Sequence, residues 1–224
     1  MPVCPVVYDA RKGLDMQLDV VIDVVCPWCY IGKKQLDKAL EMRPGVVSTL
    51  RWRPYQLAPD TPSEGVDRAS YYKKKFGDGP QVKMARQRLL SIGQDLGIAF
   101  DMESACTIAN TLDAHRLIRW ALAPDVQTEV AEGLMQRYFE DCAFLGDVDL
   151  LVDVAEKATM DGGLVRDLLA SDKDKSLIRG EIAQASQMGV QGVPMYIFNG
   201  KSGVSGAQGA EVLAGVIDKI QTET

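Results

Sequence analysis

The chain has 224 residues, is 46% hydrophobic and carries a formal net charge of −6 at neutral pH. That supply of apolar side chains can build one large domain or two unequal ones. The negative balance argues against general binding to nucleic acid or to anionic membranes.

The N-terminal stretch has no basic region followed by an apolar core, because Asp9 and Asp15 interrupt it, so no secretory signal is read there. No apolar run approaches bilayer-spanning length. A cytoplasmic protein is therefore expected. Five cysteines at irregular spacing make a poor disulfide framework.

Taken in order, residues 1–15 read as an extended lead-in. Leu18 to Val25 is β-branched and mostly apolar, which suits a strand buried on both faces. Asp23 inside it needs a partner. Cys26-Pro27-Trp28-Cys29 follows at once, and a helical run extends from Lys33 to Met42. Arg43-Pro44-Gly45 breaks that helix. Val46 to Arg53 reads as a second strand, with Val47, Leu50 and Trp52 as core candidates. The unit is β-α-β, which implies a parallel pair and a right-handed crossover.

At Ala58 to Glu64 the character changes. Thr61, Pro62 and Glu64 form a capping-box pattern that predicts a helix start. Helices are expected at Glu64–Phe76, Pro80–Leu96, Asn110–Leu122, Val126–Asp141, Val148–Thr159, Leu164–Ser171 and Lys173–Met188, with almost no strand signal among them. Strand character returns at Met195 to Phe198. Asn199-Gly200 marks a hairpin turn, Lys201 to Ser205 is its partner strand, and Ala210 to Ile220 closes the chain as an amphipathic helix.

The chemistry concentrates at Cys26 and Cys29. A Cys-x-x-Cys between a strand and a helix reads as a redox pair. Cys26 falls at the helix N-terminus, where unpaired N–H groups and the macrodipole favour negative charge. The thiolate is the nucleophilic form of cysteine. Cys29, one turn later, can attack a mixed disulfide and resolve it. Pro27 fits a first helical turn. The competing reading is half of a zinc site, which would need two more ligands. Cys4, Cys106, Cys142 and His115 are isolated from one another in sequence, so no metal is expected.

These pieces resemble the thioredoxin fold with an inserted helical domain, the arrangement of DsbA-like proteins. Cys26-Pro27-Trp28-Cys29-Tyr30-Ile31-Gly32-Lys33 and Gly192-Val193-Pro194 before the Met195 strand carry the likeness. Trp52 to Leu57, Asn110 to Arg116 and Ser205 to Gln208 are similar to the FrnE-type branch. The resemblance implies an α/β thioredoxin fold with a large all-helical domain inserted after the first β-α-β unit. Residues 1–60 and 176–224 would form the thioredoxin part, and 61–175 the insertion. It also implies that Val193-Pro194 is the cis-proline loop facing the cysteines.

A sister branch contains glutathione-dependent 2-hydroxychromene-2-carboxylate isomerases and kappa-class glutathione transferases. Its members typically carry serine where this chain has Cys26, so the cysteine favours dithiol chemistry. The expected activity is thiol–disulfide exchange on protein or small-molecule substrates. No tightly bound cofactor is expected, and glutathione or another low-molecular-weight thiol is a candidate co-substrate. A glutathione-dependent isomerase or transferase is the first alternative. A polypeptide-binding module with incidental cysteines is the second.

Each further site candidate has two readings. Asp23 relays a proton to or from Cys29, or is a carboxylate bonded to backbone. Trp28 offers the substrate a flat apolar surface, or packs against the insertion. Asn110 and Thr111 line a cleft, by likeness to the isomerase group, or Asn110 caps a helix. His115, off the apolar stripe of its helix, is expected at the surface or in domain packing. Cys106 and Cys142 are expected as reduced, buried apolar residues, and Cys4 as an exposed thiol. Arg68, Lys73, Lys74, Lys75, Lys83, Arg86 and Arg88 read as a solvated face of the insertion, or as a patch that steers anionic partners.

Overall fold

The computed structural model describes residues 16–223. The readings made for the lead-in and for Cys4 lie outside them.

A four-stranded sheet organises the chain. β1 (Met16–Ile22) lies between β2 (Val47–Pro54) and β5 (Met195–Phe198), and β6 (Ser202–Ser205) completes the order β2-β1-β5-β6. β1 pairs in parallel with β2, placing Val20 opposite Trp52, and antiparallel with β5, placing Val21 opposite Met195. Asn199 and Gly200 turn β5 into β6 with φ of 51° and 65°. Both values lie in the left-handed region that a tight hairpin requires.

One face of β1 is apolar and fully buried, whereas the other carries exposed Gln17 and half-buried Asp19 before buried Val21, so the strand expected to be buried on both faces is so only toward its end. Leu18, Val20 and Ile22 join the main core with Leu36 and Ala39 of α1 (Pro27–Met42) and Leu213 and Ile217 of α9 (Ala210–Thr222). Val21 points the other way, toward Ala185 of α8 (Lys175–Gln187) and Val190. The strand ends at Ile22 rather than Val25, because residues 23–26 turn: the Cys26 N–H donates to the Asp23 carbonyl at 3.0 Å.

Between β2 and β5 the chain is mainly helical. α2 (Arg68–Phe76), α3 (Pro80–Asp95), α4 (Leu112–Trp120), α5 (Gln127–Phe139), α6 (Val148–Lys157) and α7 (Gly162–Leu169) precede α8. A two-residue ribbon, β3 (Val66–Asp67) against β4 (Thr107–Ile108), was not legible in the sequence. It explains why α2 starts at Arg68 and not at Glu64. Pairing with a segment some forty residues away holds Val66 and Asp67 extended. Asp67, not Thr61, then caps the helix, its carboxylate accepting from the Ser70 N–H at 2.8 Å. Gly65 bends the chain into the ribbon at φ 80°, and a Cβ there would come within 2.7 Å of the Ile108 carbonyl.

Two expectations need correction here. Cys106 and Cys142 are not reduced apolar residues: they form a disulfide, with Cα atoms 5.3 Å apart. Their separation of 36 residues hid the pairing, since α4 and α5 lie between them and bring the ends together only in the fold. Closing a loop of that length removes denatured-state entropy worth about 4 kcal/mol. Arg68 does not belong to the solvated basic face. It is 3% exposed, whereas Lys73, Lys74, Lys75, Lys83, Arg86 and Arg88 are exposed. Backbone carbonyls have replaced water around its guanidinium.

Candidate active site

Cys26 is the N-cap residue of α1, with Pro27 in the first turn. Its carbonyl accepts from the N–H groups of Cys29 at 2.9 Å and Tyr30 at 3.3 Å, so the helix begins at this cysteine. Both cysteines are free thiols and both are buried, Cys26 at 4% exposure and Cys29 at 0%. The Cys26 Sγ lies 3.6 Å from the Val193 carbonyl oxygen, and the Val193–Pro194 peptide bond is cis. The segment before β5 therefore faces the amino terminus of α1, with the nucleophile candidate between them.

Burial pushes the Cys29 thiol well above its ordinary value, and the hydrogen bond with Cys26 adds to the rise, partly offset by a backbone hydrogen bond at Asp23. A raised pKa makes the protonated form part of the folded state. Cys29 therefore stabilises the reduced protein fully below its ordinary value of 9.0. That contribution is lost as pH rises from there toward the folded value. Reduced wild type should lose more stability to urea between pH 7.5 and 9.5 than reduced Cys29→Ala does. Equal losses would show that Cys29 is not held protonated by burial.

The helix seats closely against the proline loop. A Cβ at Gly32 would come within 2.5 Å of the Tyr196 hydroxyl and 2.9 Å of Pro194 Cγ, so only glycine fits there without displacement. Other contacts fasten α1 to α5. The Tyr30 hydroxyl donates to Glu140 at 2.6 Å, and its ring stacks on Phe139. Lys33, 4% exposed, pairs with Asp37 at 2.7 Å and with Glu132, which also takes Lys34. Burial alone would push the Glu132 carboxyl up, but the two lysines hold it below its ordinary value.

Asp23 is fully buried under the pair. Its Oδ2 accepts from the Leu57 N–H at 2.7 Å, and its Oδ1 has no hydrogen-bond partner among the described residues. Of the two positions expected for His115, surface or domain packing, it takes the second. It is 2% exposed, with Nε2 2.8 Å from the Tyr55 carbonyl and 3.5 Å from Asp23 Oδ1. A carbonyl only accepts, so Nε2 carries a proton in this arrangement. α4 is buried on more than its apolar side where it meets the segment after β2, so a histidine off the apolar stripe is covered as well.

Of the other candidates, Trp28 is half-buried and packs against the main core, and Val193 is likewise partly buried. Asn110 is committed elsewhere. Its amide donates to the carbonyls of Pro59 and Thr61, both at 3.0 Å, and its oxygen accepts from Gln56 at 2.9 Å and from the Leu112 N–H at 3.1 Å. It ties the segment after β2 to the start of α4. Cys26, Cys29, Pro27, Val193, Pro194 and Asp23 thus converge, Trp28 flanks them, and Asn110 stands apart. Among the described residues, Asp101, Cys106 and Cys142 group as possible metal ligands, but that pair of sulfurs is taken up by the disulfide.

The family model for the DSBA-like thioredoxin domain matches residues 17–218. The chain belongs to that family. Among solved structures it is similar to a probable DsbA oxidoreductase, SCO1869 of Streptomyces coelicolor, at 28% identity and a TM-score of 0.84, covering 93% of this chain and 91% of that one. It shares its fold with a 2-hydroxychromene-2-carboxylate isomerase at 17% identity and a TM-score of 0.67, over 92% and 96% of the two chains. The cytosolic disulfide reductase DsbM of Pseudomonas aeruginosa is similar in fold, with 14% identity, a TM-score of 0.66, and coverage of 93% and 100%. Thiol–disulfide oxidoreductases and a related isomerase therefore share this architecture. The expected thioredoxin fold with a helical insertion is the observed one. Among the described residues no helix is long and apolar enough to cross a membrane.

Sequence reasoning gave Tyr30, Gly32 and Lys33 no role of their own beyond the motif that contains them. Only Gly32 left a trace, as a glycine in the second turn of a helix that has every other reason to be continuous.

Proposed function

We propose that this chain is a thiol–disulfide oxidoreductase in which Cys26 is the nucleophile and Cys29 the resolving thiol. One observation carries the reading: the Cys26 sulfur stands at the start of α1 against the Val193 carbonyl, with the free, buried Cys29 thiol one turn on. In the reducing direction, Cys26 thiolate attacks one sulfur of a substrate disulfide. A Cys26–substrate disulfide forms, and the other substrate sulfur leaves with the electron pair and takes a proton. Cys29, once deprotonated, attacks the Cys26 sulfur, closes the Cys26–Cys29 disulfide and releases the second substrate thiol. The protein loses two electrons and the substrate gains them. The reverse sequence oxidises a dithiol. Dithiol pairs of this kind span roughly 150 mV in potential, about 7 kcal/mol for two electrons, so the fold permits either direction.

Asp23 lies buried beside Cys29 and serves as the group that takes its proton, with its Oδ1 free of hydrogen bonds among the described residues and its Oδ2 held by the Leu57 N–H. Trp28 and the Val193 backbone shape the approach to Cys26. Substrates reach it along the boundary between the insertion, residues 61–175, and the flanking segments 1–60 and 176–224. The co-substrate is glutathione or another low-molecular-weight thiol, and no tightly bound cofactor takes part. The cytosolic DsbM likeness supports a cytoplasmic site of action. The Cys106–Cys142 bridge weighs against it, since reducing pools keep most thiols apart.

Equilibration in glutathione buffers of graded ratio, followed by acid quench, alkylation and mass spectrometry, tests the proposal. Cys26 and Cys29 should pass together from two alkylated thiols to one intramolecular disulfide within the accessible range. If they never pair, the dithiol reading is wrong. The likeness to the isomerase favours one other reading, a glutathione-dependent isomerase or transferase. That reading requires activity to survive Cys29→Ala, which the dithiol mechanism forbids.

A further inference from the structure

Tyr196 carries a hydroxyl into the core that the dithiol chemistry has not used. The residue is fully buried, and its oxygen has no hydrogen-bond partner among the described residues. A buried hydroxyl without a partner destabilises the fold, because it has lost water and gained nothing in return. A phenylalanine would fill the same space without that penalty. The oxygen is a liability in the resting fold unless another state of the protein employs it.

The sheet and one glycine set its position. Tyr196 lies two residues past the cis proline and is opposite Val20 of β1. Both side chains belong to the main core. Cys29, Gly32, Leu36 and Ala39 recur at three- and four-residue spacing and are all buried, so they form one inward stripe of α1. Gly32 leaves a gap in that stripe. The Tyr196 hydroxyl occupies the gap, 2.5 Å from where a Gly32 Cβ would stand. A helical side chain leans over the turn before it, so the gap at Gly32 opens over the turn that Cys29 begins. Residues three apart on a helix have Cβ atoms about 5–6 Å apart. The free hydroxyl therefore lies against the face of α1 that carries the resolving sulfur.

That sulfur needs a donor. Of the titratable groups that bear on Cys29, Cys26 on its own helix and Asp23 after β1 both disfavour its negative charge, and a backbone hydrogen bond at Asp23 favours it. His115 stands across Asp23, its Nε2 3.5 Å from Oδ1. Burial, and after it the charge of Cys29, pushes the Tyr196 hydroxyl up, so it holds its proton. In the resolving step Cys29 passes its proton to Asp23 and its thiolate attacks the Cys26 sulfur. The Cys26–substrate bond breaks, and the substrate sulfur leaves with the electron pair. Hydrogen bonds to an ionised acceptor are about twice as strong as neutral ones. A donor left idle beside the thiol gains its partner only when the thiolate forms, which favours the reacting state over the resting one.

We propose that the Tyr196 hydroxyl, seated in the gap that Gly32 leaves, is the side-chain donor to the Cys29 thiolate during resolution. It keeps its own proton throughout. The proposal rests on the dithiol reading and adds a residue to its second step.

Stopped-flow reaction of the reduced full chain with one equivalent of dithionitrobenzoate separates the two steps. Cys4→Ser removes the other free thiol, and alkylation checks that Cys106–Cys142 stays closed. Attack by Cys26 releases the first coloured thiol, and attack by Cys29 releases the second. In Tyr196→Phe the first release should not change. The pH at which the second reaches half its maximum should rise by about one unit. At neutral pH the second release should slow about threefold: a tenth of the thiolate remains, and a more basic sulfur attacks about three times faster. The reduced variant should resist urea at least as well as wild type, since it loses only an unpaired oxygen. A second release with unchanged rate and pH profile overturns the proposal, as does equal slowing of both releases. If wild type gives no second release, the resolving role of Cys29 fails and its donor falls with it; a wild type with both releases confines any failure to Tyr196.

Discussion

Cys26→Ser should slow disulfide exchange about a thousandfold or more, because a serine hydroxyl is not ionised near neutral pH and cannot form the mixed disulfide. The fold should survive, since the change swaps one small atom for another at the helix start. Cys29→Ala should behave differently. The first attack still occurs, but no second sulfur is present to release the product, so partners accumulate covalently on Cys26. A gel under non-reducing conditions reads this directly, and a reductant should dissolve the adducts. Residual exchange above a tenth of wild type in Cys26→Ser would move the nucleophile elsewhere. Failure of Cys29→Ala to accumulate adducts would remove the resolving role.

The largest expected effect on stability lies far from the sulfurs. Arg116 is fully buried and uses its whole fork: Nε donates to the Lys173 carbonyl at 2.7 Å, and Nη2 to Leu168 at 2.7 Å and Ser171 at 2.8 Å. Nη1 pairs with Asp113 at 2.7 Å, and the guanidinium lies 4.8 Å from the centre of the Trp120 ring. This one side chain gathers the end of α7 and the start of α8 onto α4. Arg116→Leu would take the fully buried guanidinium's bonds from three partly buried carbonyls and from Asp113, and should cost about 3 kcal/mol. In a chain of this size that lowers the melting temperature by roughly 10 °C. Arg116→Lys should recover little, since one ammonium cannot span the same acceptors. A loss below about 1 kcal/mol in urea unfolding would mean that water or a rearranged loop satisfies those carbonyls.

The sheet and the dithiol motif were legible because their signals are local. The β-branched run before Cys26, the breaker at Pro44 and Gly45, and Asn199-Gly200 each state a backbone preference that tertiary contacts reinforce. What escaped depends on distant partners. The capping-box pattern at Thr61 to Glu64 lost to pairing between Val66–Asp67 and Thr107–Ile108. The Cys106–Cys142 bond depends on where α5 ends in space. Arg68 looked like a member of a lysine-rich face because six neighbours in sequence truly are exposed. Its burial follows from the carbonyls of Asp101 and Ser104, which no spacing rule announces. His115 stayed undecided between surface and domain packing for a related reason: amphipathicity finds the greasiest side of a helix, not every side that ends up covered.

The pairing of β1 with both β2 and β5 also orders events during biosynthesis. Val21 meets Arg53 in parallel register early, but its other edge waits for Met195. Until that late segment leaves the ribosome, one side of the central strand is unzipped. All five cysteines have emerged by then. A nascent chain therefore carries five thiols before the last strands of the sheet exist, so scrambled cross-links are an inherent hazard of this topology. Contacts of such long sequence separation also close slowly. Yield from cells should accordingly improve when translation takes place under mildly reducing conditions and oxidation is delayed until synthesis is finished.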